Sequence, residues 1–225
     1  MLDQLESRLG GLVLSVAPPD WRRVELRATM VNLMADMRIV AVLPDDSTVP
    51  LDLPPGLLMT LDELRQVQWE PNTGTWLALR MMIDPPGAYL VSYNFELTPD
   101  WDPVITAEEY AEDLNPYPRK PEHVPSWWSG GEPEYGDREQ ILNRIASSLR
   151  FDLPPGSVGV HLSATPGTRP TATVRTVNDT EHPWTPPPFL DELLRHHRAA
   201  GKPWHAATID YSHSGHLRTD FVSKA

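Results

Sequence analysis

The chain has 225 residues, of which 40% are hydrophobic, and it contains no cysteine. A chain of this length forms one large domain or two small ones. The lack of cysteine excludes disulfides and thiolate-bound metals. The formal net charge is −12, and nucleic acid is not expected as a partner because its phosphates repel an acidic surface.

The N-terminus, MLDQLESRLGG, carries acids where a signal peptide needs a basic region. No apolar run approaches the roughly 18 residues that a membrane-spanning helix needs. Together with the absence of cysteine, these features predict a cytoplasmic protein that has no membrane partner.

The acidic residues are distributed unevenly. Residues 1–96 hold 13 acids and 7 bases, residues 97–135 hold 9 acids and 2 bases, and residues 136–225 hold 9 acids and 10 bases. The first two thirds of the chain therefore carry the negative charge, which suits a basic partner. An ordinary solvated acidic surface is the alternative interpretation.

The first predicted element is a helix, followed by a strand. Leu2, Leu5, Leu9 and Leu12 have helical spacing, and the helix should end before the proline pair at 18–19. The following stretch alternates apolar and polar residues, which is typical of a half-buried strand. A second helix is predicted at PPGLLMTLDELR (54–65), because prolines often open a helix. A hairpin that turns at Gly87 completes this copy.

The segment 97–136, here called the connecting arm, is too long for an ordinary loop and too aromatic for a disordered one. TAEEYAEDL (106–114) has a threonine cap and Glu109 three residues later, which predicts a short helix with a capping box. The prolines that follow should stiffen the chain. We therefore expect an ordered arm that packs against the first copy.

The second copy repeats the first. PPDWRRVELRAT (18–29) aligns with PPGSVGVHLSAT (154–165) at an offset of 136 residues, and Trp76 aligns with Trp204 at an offset of 128. The predicted fold is α+β: two tandem copies of a helix–antiparallel sheet–helix–hairpin unit, with strands and helices in the order helix, strand, strand, helix, hairpin. The predicted domains are 1–96, 97–136 and 137–225, and the duplication suggests a pseudo-two-fold relation.

Five residues of the connecting arm are the predicted partner-binding site. They are Asp113, Tyr117, Arg119, Trp127 and Trp128. Aromatic side chains and arginine dominate binding hot spots. We expect Arg119 to pair with an acid such as Asp113 or Glu109 and so to hold the arm in place.

The two adjacent tryptophans carry a further expectation. In an extended segment, successive side chains point to opposite sides, so one ring should be buried and the other should be available to a partner. The alternative is that Trp127 and Trp128 both cover the core of the first copy.

Residues 1–128 resemble the YezG-like family of bacterial immunity proteins. The resemblance lies in PPDW (18–21), LDELR (61–65), GTWLALRMMIDPPGAYLVSYNFE (74–96) and YAEDLNPYPRKPEHVPSWW (110–128). The same stretch is similar to the non-catalytic domain that accompanies TNT-type NAD-glycohydrolase toxins of actinobacteria. A second copy stands where a toxin would carry its catalytic module, so the resemblance implies immunity rather than toxicity.

The chain shows no pattern typical of an enzyme or a metal site. Its eight histidines do not have the spacing of a known ligand set, and we expect them to be exposed histidines in turns. Glu63 and its expected counterparts Asp191 and Glu192 suggest a carboxylate pair, but acids near a helix start are the commoner explanation. We predict no catalytic residue, no metal and no cofactor.

These observations favour an immunity protein, or antitoxin, that occludes a basic toxin domain through an acidic, aromatic surface. One alternative is a non-catalytic accessory or regulatory protein without a toxin partner. A less favoured one is a small hydrolase.

Overall fold

The computed structural model describes residues 1–99, 101, 105–131 and 135–223. The chain divides into two compact units, Met1–Glu134 and Tyr135–Ala225, here called the first and the second unit. Most of the connecting arm therefore belongs to the first unit. Tyr135, which the sequence assigned to the arm, is part of the core of the second unit.

The first unit is built on an antiparallel five-stranded sheet in the order β3-β2-β1-β4-β5. Its elements are α1 (Leu2–Leu14), β1 (Arg23–Val31), β2 (Met34–Val42), β3 (Thr48–Leu51), α2 (Leu57–Val67), β4 (Ala78–Asp84) and β5 (Ala88–Asn94). The connecting arm adds the short helix α3 (Ala107–Asp113) and two single turns of 3₁₀-helix, Pro121–His123 and Ser126–Ser129.

The second unit repeats this arrangement, with strand order β8-β7-β6-β9-β10. Its elements are α4 (Arg138–Asp152), β6 (Ser157–Ala164), β7 (Thr171–Thr176), β8 (Glu181–Trp184), α5 (Pro188–Ala199), β9 (Trp204–Ser212) and β10 (Leu217–Ser223). The described residues thus form five α-helices and two antiparallel sheets, which confirms the predicted α+β class. None of the described helices is both long and apolar enough to cross a membrane.

The sheet of each unit has five strands, one more than the four in the predicted order. The additional strands, β3 and β8, are four residues long and lie at the edge of their sheets. Each includes a proline, Pro50 or Pro183. Proline cannot donate to a strand ladder and is tolerated at a sheet edge, so these segments lack the usual strand signal.

The strand registers reproduce the two sequence offsets. Val24 of β1 pairs with Ile83 of β4, and Val160 of β6 pairs with Tyr211 of β9. Val160 is 136 positions after Val24, and Tyr211 is 128 positions after Ile83, as in the alignment. Because a slip of one residue would turn every side chain to the other face, a shared register supports the duplication. The pseudo-two-fold relation between the units stays a prediction.

In each unit, one face of the sheet packs against both helices. In α1, the buried hydrophobic residues are Leu5, Leu9 and Val13, and in α4 they are Ile141, Ile145 and Leu149. The spacing of about one turn places each set on one face of its helix. Trp76 and Trp204 are both buried in these cores, as their equivalent positions in the alignment predict.

The other face of the first sheet contains buried ion pairs. Arg23 donates from Nε and Nη2 to the carboxylate of Asp84 at 2.7 and 2.8 Å. Arg80 donates from Nη2 to Glu25 at 2.7 Å. Arg23, Glu25 and Arg80 are buried. Sequence alone does not reveal this, because alternating charged residues on a strand are typical of a solvated face.

Candidate functional site

The helix of the connecting arm begins with the predicted capping box. The backbone N–H of Glu109 donates to the Thr106 hydroxyl at 3.4 Å, and the Glu109 carboxylate accepts from the Thr106 backbone at 2.6 Å. Both hydrogen bonds satisfy backbone donors that a helix start leaves without partners. The box fixes where α3 begins, and Asp113 is the last residue of the helix.

Asp113 attaches the helix to the first unit through a buried ion pair. Both of its carboxylate oxygens accept from Nη2 of Arg65, at 3.0 and 2.9 Å. One oxygen also accepts from the backbone N–H of Asn32 at 2.5 Å. The Arg65 and Asp113 side chains are each 1% exposed. Asp113 therefore links α3 both to α2 and to the turn between β1 and β2.

Arg65 in turn organises the surrounding side chains. Its Nε donates to the backbone carbonyl of Trp76 at 3.2 Å, and its guanidinium lies 4.6 Å from the centre of the Tyr117 ring. Burial raises the pKa of Tyr117 to about 12, and its hydroxyl donates to Asp62 at 3.3 Å. A stacked, hydrogen-bonded guanidinium favours the planar geometry of arginine over lysine.

Arg119 is a second attachment point. Its Nη1 donates to the carbonyl of Phe95 at 2.9 Å, and its Nη2 donates to the carbonyl of Thr75 at 2.7 Å. Its guanidinium lies 4.6 Å from the centre of the Trp128 ring, and its side chain passes closely over Gly74. Burial lowers the pKa of Arg119 to about 10, so the guanidinium remains protonated at neutral pH.

The predicted pairing of Arg119 with Asp113 or Glu109 is therefore wrong. Asp113 is engaged by Arg65, and Glu109 closes the capping box of α3. Arg119 instead binds two backbone carbonyls, one after β5 and one before β4. Its function in holding the arm is nevertheless the predicted one.

The two tryptophans lie on a single turn of 3₁₀-helix and not on an extended segment. Their rings stack with centres 6.0 Å apart, and both meet the Tyr110 ring edge-on, at 4.9 Å for Trp127 and 5.6 Å for Trp128. The expectation that they point to opposite sides is wrong, because a helical turn does not alternate side chains as a strand does.

The burial of the two tryptophans still differs as expected. Trp128 is 2% exposed and belongs to a small hydrophobic cluster under the arm. Trp127 is half-buried, and its indole N–H donates to the carbonyl of Glu96 at 2.9 Å. Part of the Trp127 ring is therefore the aromatic surface that this segment offers.

The arm has a hydrophobic cluster separate from the core between sheet and helices. Its buried members are Val31, Leu77, Trp101, Ile105, Tyr110 and Trp128. Strand and arm residues contribute together, so the arm and the end of the sheet stabilise each other. At the other end, the Trp69 indole donates to the carbonyl of Pro118 at 3.1 Å.

Exposed acids lie on the docked arm and beside the residues that contact it, and we call this set the acidic rim. Its members are Asp62, Glu70, Glu96, Glu108, Glu112 and Glu122. The last three are on the arm itself. The Asp62 carboxylate accepts from Tyr117, Glu96 accepts from Trp127 through its backbone carbonyl, and Glu70 follows Trp69, whose indole donates to Pro118. The rim gives the arm a negatively charged border.

Of the five predicted site residues, Asp113, Tyr117 and Trp128 are buried, while Arg119 and Trp127 are partly exposed. Asp113, Tyr117 and Trp128 have a structural role, because they attach the arm to the rest of the first unit. Partner binding by the five stays a prediction. Arg119 and Trp127 are partly accessible to solvent, and the acids of the rim are exposed.

Sequence reasoning missed Arg65 and Gly74 as parts of this site. Arg65 was visible only as the end of LDELR, and its position on α2 gave no sign that an acid 48 residues later would reach it. Gly74 has a φ of +70°, and a Cβ there would lie 2.7 Å from Cγ of Arg119. Glycine at the start of GTW (74–76) therefore allows both the left-handed backbone and the close approach of the Arg119 side chain.

Within the described residues, no three metal-ligating side chains come together. The considered carboxylates have other partners: Glu63 pairs with Arg8 at 2.6 Å, Asp191 with Arg195 at 3.7 Å, and Glu192 accepts from the Tyr135 hydroxyl at 2.6 Å. Asp191 lies in the first turn of α5, as expected for an acid at a helix start, whereas the first turn of α2 contains no acid and Glu63 lies in the second half of that helix.

One histidine departs from the expectation of exposed histidines. His197 of α5 is buried, and it stacks on Phe221 with ring centres 4.2 Å apart. Burial, aided by nearby Arg138, lowers the pKa of His197 to about 4. The imidazole is therefore neutral at physiological pH and contributes to packing.

Neither protein-family models nor curated proteins gave a match to this chain. The likeness to the YezG-like family accordingly stays a prediction that rests on the residues quoted above.

Proposed function

We propose that this protein is a non-enzymatic immunity protein that binds a basic toxin domain in the cytoplasm and covers its substrate cleft. The observation that carries the proposal is the docked connecting arm, which leaves Trp127 partly exposed beside Glu96 of the acidic rim. Arg119 and the Asp113–Arg65 pair hold this arm on the first unit.

A preformed surface favours tight inhibition. Binding normally costs about 0.5–1.5 kcal/mol for each side chain that must be ordered at an interface. Here the arm is already attached through two arginines and a hydrophobic cluster. Less ordering remains to be done when a partner arrives, so more of the contact energy contributes to affinity.

The charge distribution favours a basic partner. The first unit contains 22 acids and 9 bases, whereas the second contains 9 acids and 10 bases. Complementary charge accelerates association and disfavours acidic competitors. A half-buried tryptophan bordered by charge resembles the usual hot spot, in which an aromatic anchor is surrounded by a polar border.

The test uses the toxin domain encoded beside the gene for this protein. We expect its expression alone to arrest bacterial growth, and co-expression of this protein to restore growth. The purified pair should form a complex whose association rate falls as salt is raised, because salt screens exposed charges.

A matched pair of variants locates the surface. Glu70→Lys with Glu122→Lys reverses two charges of the acidic rim, while Asp3→Lys with Asp52→Lys makes the same change at exposed acids outside it. The rim variant should associate at least about tenfold more slowly, and the control should stay near wild type. A neighbouring gene without a toxin domain, or toxicity that this protein leaves unchanged, would contradict the proposal.

A further inference from the structure

The second unit has an open groove of about 620 Å³ beside α5. It lies between this helix, the turn that joins β6 to β7, and the start of β9. Its lining includes Thr165, Arg169, Asp191, Arg195, Arg198 and Trp204. Three arginines and one acid give the groove a positive character, in a unit whose overall charge is close to neutral.

Arg198 of this groove is the counterpart of Arg65. Leu57 and Leu61 of α2 are buried in the way that Leu190 and Leu194 of α5 are, which gives a helix offset of 133 residues. The same offset takes position 65 to position 198. Each arginine donates its Nε to the carbonyl of the equivalent tryptophan, at 3.2 Å for Trp76 and 2.8 Å for Trp204.

This alignment revises the sequence comparison of the two helices. LDELR (61–65) and DELLR (191–195) are the most similar stretches of the two helices in sequence. Aligning them made Asp191 and Glu192 the expected counterparts of Glu63. Burial and the shared arginine contact instead place Glu63 opposite His196. The structural alignment is preferred, because it preserves both the core positions and the hydrogen bond.

In the first unit, the connecting arm covers this place, and in the second unit the described chain leaves it open. Thr75 and Leu77, on either side of Trp76, are each 0% exposed. Their counterparts on either side of Trp204 are Pro203 and His205, and both are exposed. Arg65 is buried, whereas Arg198 is only half-buried.

The hairpin of β6 and β7 is shorter than that of β1 and β2. Leu26 pairs with Ile39 across β1 and β2, while its counterpart Leu162 pairs with Ala172 across β6 and β7. Counted between these equivalent pairs, the second hairpin is therefore three residues shorter. The first unit binds the arm at the tip of its longer hairpin, where the backbone N–H of Asn32 donates to Asp113. The second unit has the groove at the corresponding end of its sheet.

We propose that this groove binds an acidic peptide segment of a partner protein, in the manner in which the first unit binds its own α3. A carboxylate of the segment pairs with Arg198, as Asp113 pairs with Arg65. An aromatic residue about one helical turn later stacks on the same guanidinium, as Tyr117 does on Arg65. Arg169 and Arg195 line the groove and attract the acidic segment.

The charges at the groove support this occupant. Among the described residues, no carboxylate forms a salt bridge with Arg198 or Arg169, and the one acid of the lining, Asp191, pairs with Arg195 at 3.7 Å. Arginine binds a carboxylate through two parallel hydrogen bonds, which gives direction as well as charge. The proposal is separate from the proposed toxin contact, which involves the first unit.

The probe is a synthetic peptide of residues 105–120, ITAEEYAEDLNPYPRK, added to the full-length protein. In the wild-type protein, the native arm already fills the first site, so the peptide should enter the second. We expect saturable binding by fluorescence anisotropy and a shift of the Trp204 indole N–H resonance. The Trp76 resonance is the internal control and should not move.

Matched variants test the contact that carries the proposal. The peptide with Asp113→Asn should bind about tenfold or more weakly, because a hydrogen-bonded charge is lost. Arg198→Gln and Arg169→Gln in the protein should also weaken binding, while Arg218→Gln, an equal charge change on β10, should not. Arg169→Gln keeps the test valid if loss of the Arg198–Trp204 contact disturbs the fold.

Three results would overturn the proposal. The first is no saturable binding of the peptide, and the second is binding that neither Arg198→Gln nor Arg169→Gln weakens. The third is dimerisation of the full-length protein that Arg198→Gln abolishes, since the occupant would then be the arm of a second copy and not a separate partner.

Discussion

Arg65 holds the carboxylate of Asp113 at 2.9 and 3.0 Å, although the two residues are 48 positions apart. Each side chain is 1% exposed. A buried pair of this kind does not by itself prove a large gain in stability, because both ions lose their hydration. It does make the position of the arm specific, since an arm that shifts leaves a charge buried without its partner.

Asp113→Ala should therefore destabilise the first unit strongly. Removing one partner of a buried ion pair typically costs about 3–5 kcal/mol. The measurement is the free energy of unfolding in urea. Glu112→Ala is the control, because Glu112 is an exposed neighbour that accepts one hydrogen bond from Asn32. A loss for Asp113→Ala no larger than that for Glu112→Ala would contradict the attachment.

Gly74→Ala should release Arg119 from its two carbonyls. Gly74 and Gly56 both have positive φ, +70° and +84°, so alanine at either costs about 1–2 kcal/mol of backbone strain. Only at position 74 would the new Cβ collide with Arg119; at position 56 it meets nothing within 4 Å. Gly74→Ala should cost more by about 1–3 kcal/mol, because two partly buried carbonyls lose their donor.

Limited proteolysis provides a second measurement for the Gly74 variant. If the arm loses its attachment, cleavage within residues 114–125 should become faster than in the Gly56→Ala control. Equal unfolding energies and equal cleavage rates for the two variants would mean that Arg119 adapts to the methyl group without loss.

Trp128→Ala and Trp127→Ala should have different effects. Trp128 is buried in the cluster under the arm, so its removal should cost about 3–5 kcal/mol of stability. Trp127 is half-buried, so its removal should cost roughly 1–2 kcal/mol. If the proposed function holds, Trp127→Ala should instead weaken toxin binding by about tenfold or more.

The discriminating comparison is stability by urea unfolding against affinity by calorimetry. Equal destabilisation by both changes with unaltered toxin binding would make the arm only a cover for the core. No effect of either change on both quantities would place the contact surface elsewhere.

Trp76→Ala and Trp204→Ala should each cost about 3–5 kcal/mol, because both rings are buried at equivalent positions. The two units have separate cores, so thermal unfolding followed by fluorescence should show the loss in the unit that carries the change. A loss below roughly 1 kcal/mol for either tryptophan would show that the core can close around the missing ring.

The duplicated fold could be predicted because it depends on local patterns. Helical spacing, alternating strands and proline pairs recur at fixed offsets, and the registers of β1–β4 and β6–β9 follow the same offsets. The capping box of α3 was also visible, because it needs only Thr106 and Glu109 three residues later. Such features involve neighbours in sequence, and periodicity is sufficient to find them.

The contacts of the arm could not be predicted in the same way. The partner of Asp113 lies on α2, and the partners of Arg119 are backbone carbonyls, which no sequence pattern distinguishes. The sequence predicted an ordered arm, but it did not show which acid pairs with which base. The Arg198 groove could not be predicted for a related reason. Aligning the two helices by sequence similarity gives a different offset from aligning them by their buried positions.

Acid should destabilise the second unit through His197. Burial and the nearby Arg138 lower the pKa of His197 to about 4, whereas an unfolded histidine has a pKa near 6.5. Between these values the unfolded chain binds the extra proton and the folded chain does not. Stability from this group is therefore complete above about pH 6.5 and is lost as the pH falls towards 4.

The measurement is the free energy of unfolding at several pH values for wild type, His197→Phe and His205→Gln. One proton contributes at most about 1.4 kcal/mol per pH unit, and acidic residues add their own slope in all three proteins. His197→Phe should therefore show a shallower decline than wild type between pH 6.5 and 4. His205 is exposed, so His205→Gln should keep the wild-type decline. Parallel curves for all three proteins would mean that His197 takes up its proton in the folded state as readily as in the unfolded chain.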